Sequence, residues 1–407
     1  RTPKIIGEGL GFDDVLLVPQ RSSIRSRFSG EIDTSARVAR GAPAIHIPII
    51  SANMDTVTDW RMATTMSLLG GFGVLHRFMS VEDQVNEVRK VKERMRVMEE
   101  HPPVIPSTAT IRDARHLLKQ RERGYVIVYD GGSYDGNFIG IATPRDFEAG
   151  TPDTPLNLIM TPRERIATVA VGTDREQAVA EMHKYRVEKM PVVDEDGKLV
   201  GVYTIKDHKY YHQYPQASLD SKGRLLVGAA IGVQDGDIER ALALVEAGVD
   251  VLVLDIAHGE LDYTQEILHR LKITERVMTP VIAGNVATID GARYVRNSGA
   301  DGVKVGVGPG YVCETRDVAG VGVPQITAIM NAAEAYKNDH DRIPIISDGG
   351  IRKPGDVSKA IAAGADTIMV GSLFAGTEES PGEPVEQDGI LKKMVRGMAS
   401  ATAFEKR

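Results

Sequence analysis

The sequence predicts an α/β protein, a closed (β/α)8 barrel interrupted by an inserted module of two similar copies. Two observations carry this. From Gly223 onward, short apolar runs alternate with amphipathic stretches of helical period, the rhythm of a parallel sheet with crossover helices. Between residues 95 and 213 that rhythm stops. There Ile139-Gly-Ile-Ala-Thr143-Pro-Arg-Asp146 is echoed at equal spacing by Val200-Gly-Val-Tyr-Thr204-Ile-Lys-Asp207.

The elements follow in order. The first segment contributes strands at 47–51 and 73–75 around a helix at 60–69. After the insertion, apolar runs at 225–230, 249–254, 279–283, 302–307, 343–346 and 367–370 read as strands. Helical patterns at 238–247, 263–271, 290–298, 325–336 and 354–363 separate them. The turns Ala247-Gly-Val-Asp250, Ser298-Gly-Ala-Asp301 and Ala363-Gly-Ala-Asp366 close helices before the next strand. About eight βα units favour a closed barrel over an open sheet, with ligand chemistry at the C-terminal ends of the strands. Inside the insertion, helices at 111–120 and 175–185 precede strands at 125–129 and 190–193, so each copy reads as a βαββα unit. The boundaries are therefore 1–94 for the first part of the barrel, 95–213 for the module and 214–407 for the rest.

Composition narrows the class. With 42% hydrophobic and 26% charged residues and a net charge of −7, the chain reads as globular, and its acidic balance argues against nucleic acid as the main partner. Neither a signal peptide nor an apolar run of membrane-spanning length is visible. One cysteine excludes an intramolecular disulfide and suits a reducing cytosol, so the expected location is cytoplasmic. The chain opens on Arg1 rather than methionine, which leaves terminal processing or further segments open.

That single cysteine, Cys313, lies in a glycine-rich loop after the run 302–307, followed by Thr315 and Arg316. A buried inert cysteine belongs on an apolar face, whereas this setting suits a nucleophile, with loop dipoles and Arg316 favouring the thiolate. Thr315 is either a turn hydroxyl or a hydrogen-bonding partner of the reacting group. In the module, Thr143/Asp146 and Thr204/Asp207 read equally as helix caps or as paired ligand sites. His76 and His258 follow predicted strands, with a structural role expected for His76. His183 is expected at the surface, and the charged run 90–96 as a solvated helix.

Several further motifs recur along the chain: Gly11-Phe-Asp-Asp-Val-Leu-Leu-Val-Pro19, Ser51-Ala-Asn-Met-Asp-Thr-Val57, Leu75-His-Arg-Phe-Met-Ser80 and Val227-Gly-Ala-Ala-Ile-Gly232. Asp255-Ile-Ala-His-Gly259, Ala283-Gly-Asn-Val-Ala-Thr288, Ser347-Asp-Gly-Gly-Ile351, Gly371-Ser372, Gly376-Thr-Glu-Glu-Ser-Pro-Gly382 and Arg396-Gly-Met-Ala-Ser400 complete the series. In this order, and with the Cys313 loop, they resemble the IMP dehydrogenase/GMP reductase family from end to end. The tandem module falls where that family carries cystathionine-β-synthase-type (CBS) domains.

The resemblance implies that the Cys313 thiolate attacks C2 of a purine nucleotide while hydride passes between C2 and a nicotinamide, with Thr315 assisting. It implies nucleotide binding by Asp348 (ribose), by Gly350, Gly371 and Ser372 (phosphate), by Met398 and Ala399 (base edge), and by Asn285 at the same mouth. Asp255, Ala257, Gly306 and Gly308 would face NAD, or NADPH in a reductase. Carbonyls of Gly308, Gly310 and Cys313 would hold a monovalent cation, expected to be potassium. The module would bind adenine or guanine nucleotides through Thr143, Asp146, Thr204 and Asp207 and tune a homotetramer or octamer.

Two departures from the family pattern stand out. Tyr311 occupies the place of a phosphate-binding serine, and Val395 that of a tyrosine. Tyr311 is expected either to restore the lost phosphate contact or to obstruct it. Three readings follow: IMP dehydrogenase first, GMP reductase second, a non-catalytic nucleotide-binding relative third. The deciding segments, an Arg-Tyr flap or a glutamate, are expected beyond Arg407.

Overall fold

A computed structural model describes residues 7–26, 32–96, 98–121, 123–131, 136–234 and 236–397. The chain divides into two compact units, one formed by residues up to Met95 and from Tyr214 onward, the other by Arg96–Gln213.

The first unit is a closed eight-stranded parallel barrel. Its strands are β1 (Ile49–Ser51), β2 (Phe72–Leu75), β3 (Gly228–Ile231), β4 (Val251–Leu254), β5 (Val281–Val286), β6 (Gly302–Val305), β7 (Ile345–Asp348) and β8 (Thr367–Val370). Each pairs with its successor, β8 with β1, and β2 with β3 across the insertion. Crossover helices α1 (Trp60–Leu68), α2 (Val81–Arg94), α3 (Asp237–Glu246), α4 (Asp262–His269), α5 (Ile289–Asn297), α6 (Gln325–Ala335) and α7 (Pro354–Ala363) follow the first seven strands. The strands are apolar at nearly every position because the helices cover one face and the barrel interior the other. Expected and observed ends differ by a few residues. Leu225 to Val227 are buried but lie ahead of the ladder that begins at Gly228.

Caps set the helix starts. Asp59 accepts from the amides of Arg61 and Met62, Ser80 from that of Asp83, and Thr288 from that of Gly291, while Pro354 opens α7. The repeated Gly-x-Asp turns have a common cause. Gly248, Gly299 and Gly364 hold φ values of +90°, +100° and +117°, which let each helix end in the left-handed region. The aspartate two residues later then closes a two-way bond with the start of the preceding strand. Asp250 accepts from Val227 N at 2.7 Å and donates its own N–H to Val227 O at 3.0 Å. Asp301 does the same with Val281, and Asp366 with Ile345. Each carboxylate also meets a cation: Lys92, Lys272 and Arg342 respectively. The repeat thus sets strand register at the N-terminal face, opposite the site.

Lys92 corrects the expectation of a fully solvated run at 90–96. It is buried and sits 2.6 Å from Asp250 and 3.0 Å from Asp220, while Val91 and Met95 join the core. Alternation on α2 turns one side of the charged run inward.

In the second unit, Val104–Pro106, Val126–Asp130, Asn137–Ala142 and Thr161–Pro162 form one sheet with helix Ile111–Arg121. Val169–Ala170, Lys189–Val193 and Leu199–Thr204 form another with helices Arg175–Tyr185 and Ile205–Gln213. The copies differ at one point. The second ends in an α-helix, whereas the first stops in the short 3-10 turn Asp146–Ala149, because Gly150 and two prolines at 152 and 155 follow.

Candidate functional site

The C-terminal ends of the barrel strands open into a cavity of about 640 Å³. Its chemistry is arranged on three neighbouring strands. Lys304, on β6, is buried and places its ammonium 2.9 Å from Asp348 Oδ2 at the end of β7. Asn285, on β5, donates to the same oxygen at 2.8 Å and to Gly306 O at 2.7 Å. Two donors therefore claim Oδ2, and neither claims the other carboxylate oxygen. Burial opposes the charge on Lys304, yet the Asp348 and Asp255 carboxylates hold its pKa above the ordinary lysine value. Gln325 braces this floor from α6, donating to Val305 O at 2.9 Å and to Ser347 Oγ at 3.2 Å.

Cys313 stands at the rim, in the loop that leaves β6. It is half-buried and unbridged. Its amide donates to Gly310 O at 3.1 Å, and its thiol donates to Thr315 Oγ1 at 3.2 Å. The glycines of this loop answer to the protein's own packing. A Cβ on Gly306 would collide with the Asp348 carbonyl, and one on Gly308 would lie 2.6 Å from Arg316 Cγ. Arg316 is turned into the loop, where it donates to Val323 O at 2.7 Å.

Asp255, immediately after β4, also lines the cavity and pairs with Arg77 Nε at 3.3 Å. Ala257, Gly306, Gly308 and Gly310 line the cavity as well. Gly350, Gly371 and Ser372 are not among its lining residues. Gly350 follows Gly349, which does line it, and a Cβ on Gly371 would lie 3.1 Å from Sδ of another lining residue, Met54. Tyr311 is 74% exposed and, like Gly350, Gly371 and Ser372, stands outside the cavity lining. Val395 is half-buried. Met398 and Ala399 lie outside the described residues, although Gly397 lines the cavity.

Thr143 and Thr204 each donate their hydroxyl to the aspartate three residues on, at 2.7 Å in both copies. These bonds have the geometry of caps, and burial raises the Asp207 pKa. His258 and His183 are exposed.

Lys304 and Arg77 were not singled out by the sequence reading. A signal for Lys304 existed, since a charge inside the apolar run 302–307 requires a buried counter-charge. Arg77 gave none, because its partner comes from β4, distant in sequence.

The residues fit the groups that the resemblance implies. The cavity volume suits a nucleotide with a nicotinamide beside it, and its walls offer an ion pair on one side and a thiol on the other. For a cation, Gly310 O accepts from Cys313 N and retains a second lone pair.

His76 is buried, and its Nδ1 accepts from Phe78 N at 3.2 Å, which requires the neutral ring. Burial pushes its pKa down to about 4, against the opposing pull of Asp59 and Asp255. A folded value below the unfolded one gives stability that is complete above pH 6.5 and lost as pH falls toward 4. Between pH 7 and 4, the unfolding free energy should fall by about 3 kcal/mol more in the wild type than in His76→Gln, as measured by urea titration. Parallel profiles for the two proteins would contradict this assignment.

Comparison with known proteins places these features in context. A family profile described as IMP dehydrogenase / GMP reductase domain matches residues 9–407. The chain is 45% identical over 396 residues to inosine-5'-monophosphate dehydrogenase of Nitrosopumilus maritimus, covering 97% of this chain and 81% of that protein. The Escherichia coli K12 enzyme of the same name is 44% identical, covering 99% and 81%. Among solved structures, a cysteine-to-alanine variant of GMP reductase from Trypanosoma brucei, in complex with guanosine 5'-monophosphate, superposes with a TM-score of 0.91. It is 41% identical and covers 98% of this chain and 84% of that one.

Proposed function

The chain belongs to the IMP dehydrogenase/GMP reductase family, and from that premise we propose that it oxidises IMP to XMP with NAD, a step toward guanine nucleotides. The observation that carries the reading is the only thiol of the chain, hydrogen-bonded to Thr315 at the rim of a nucleotide-sized cavity.

The residues supply the steps. The Cys313 thiolate adds to C2 of the purine and forms a C–S bond, and the C2 hydrogen departs with its electron pair. NAD, when bound, accepts that hydride. Water then adds at C2 of the thioimidate, loses its proton and expels the thiolate, leaving XMP. Thr315 Oγ1 takes the thiol hydrogen bond before attack and bonds the water afterwards. Asp348, with one oxygen held by Lys304 and Asn285, offers the other to the ribose hydroxyls. Amides of Gly350, Gly371 and Ser372 hold the phosphate, Met398 and Ala399 the base edge. Asp255, Ala257, Gly306 and Gly308 face the nicotinamide, and the carbonyls of Gly308, Gly310 and Cys313 hold a potassium ion. The setting is the cytoplasm, and the assembly a homotetramer or octamer.

One observation favours a second reading, reduction of GMP to IMP and ammonia with NADPH. It is the 41% identity and TM-score of 0.91 to a GMP reductase. Absorbance at 340 nm separates the two. IMP with NAD should raise it, and Cys313→Ala should abolish the signal. A fall with GMP and NADPH, with ammonia released, would establish the reductase instead, and silence in both assays would overturn both readings.

For the module, which has the place of a CBS pair, we infer regulatory binding of adenine or guanine nucleotides at Thr143/Asp146 and Thr204/Asp207. Titration with ATP and GTP should change the sedimentation coefficient or the rate, and Asp207→Ala should weaken the response about tenfold. Unchanged sedimentation and rate in the wild type would contradict this role.

A further inference from the structure

Residues 393–397 form a strap fixed at three points. Near its start, Lys393 Nζ enters a cage of oxygens formed by the turn after β8. It donates to Ser380 O at 2.7 Å, Thr377 O at 2.9 Å, Ser380 Oγ at 3.3 Å and Glu378 O at 3.4 Å. Ser380 is itself buried and bonds back to Ala375 O at 2.8 Å, so the cage is braced from behind. Farther along, Arg396 pairs with Asp55 in the loop after β1, and its amide approaches Thr56 Oγ1 at 3.5 Å. At the end, Gly397 lies so close to the nucleophile loop that a Cβ would collide with the carbonyl oxygen of Val312, the residue before Cys313. Gly397 also lines the cavity.

A lysine spent on several carbonyls and a hydroxyl, with no carboxylate among its partners in the described residues, is in the position of a bound ammonium or alkali ion. Such oxygen sets suit hard monovalent cations, and carbonyl dipoles converging on one point repel each other unless a charge lies between them. We propose that Lys393 is a tethered cation that neutralises this cage and thereby seats the strap against the loop bearing Cys313. It is a positioning residue: it acts through Gly397 and Val312 and touches no reacting atom. Emptied of its side chain, the cage is a site for a free ammonium ion. The inference deepens the proposed function, since it rests on Cys313 as the nucleophile.

Because Cys313 is the only cysteine, alkylation by iodoacetamide reports on this loop alone and needs no turnover. Full-length Lys393→Ala should be alkylated severalfold faster than the wild type and lose about tenfold or more in kcat, with a smaller change in KM for IMP. Ammonium chloride, set against choline chloride at equal ionic strength, should restore both values and raise the variant's Tm. Lys393→Met, whose uncharged chain still fills the entrance, should show the same losses without rescue. Wild-type alkylation and kcat in Lys393→Ala would overturn the proposal. So would losses, or a lowered Tm, that ammonium leaves unmoved or restores equally in Lys393→Met. A wild-type chain silent toward IMP would defeat the functional reading instead, and the alkylation and Tm comparisons would still decide the role of Lys393.

Discussion

The site depends on one buried ion pair, Lys304 with Asp348. The two residues end adjacent strands, and Asn285 on the strand before them completes the set. Removing either charge would leave the other uncompensated in a poorly hydrated place, at a cost of about 3–5 kcal/mol. The pair therefore fixes both the side-by-side ends of β5, β6 and β7 and the carboxylate oxygen presented to the cavity. The loop carrying Cys313 departs from the same strand as Lys304, so the position of the thiol is referred to this pair. The crowding of Gly306 against Asp348 O has the same origin, because two strand ends drawn together leave no room for a Cβ.

The opposite face of the barrel is organised by a different device. Three Gly-x-Asp turns anchor three strand starts, and Lys92, Lys272 and Arg342 neutralise the aspartates. Stability is thus concentrated at one end and chemistry at the other, which frees the catalytic loops from holding strand register. The strap of residues 393–397 is the exception. It is held by charge at the catalytic end, where it meets the nucleophile loop.

Much of this was legible in the sequence. Apolar runs marked the eight strands because both of their faces are covered, and the Gly-x-Asp repeats located the turns. Cys313, Thr315, Asp348, Asn285 and Asp255 were all marked by the family resemblance, and the structure gathers them around one cavity. What stayed hidden depended on contacts between distant segments. Arg77 and Asp255 are far apart in the chain, as are Arg396 and Asp55, and no local pattern links them. The charged run at 90–96 misled because a helix can bury one lysine while solvating its neighbours, and Lys92 alone finds two aspartates.

The central claim is that the Cys313 sulfur forms a bond to the purine. The direct test is mass spectrometry of the Cys313 peptide after acid quench of a reaction with IMP and NAD. A fraction of that peptide should be heavier by one purine nucleotide and should disappear as IMP is exhausted. Steady turnover with the Cys313 peptide unmodified at every time point would contradict it.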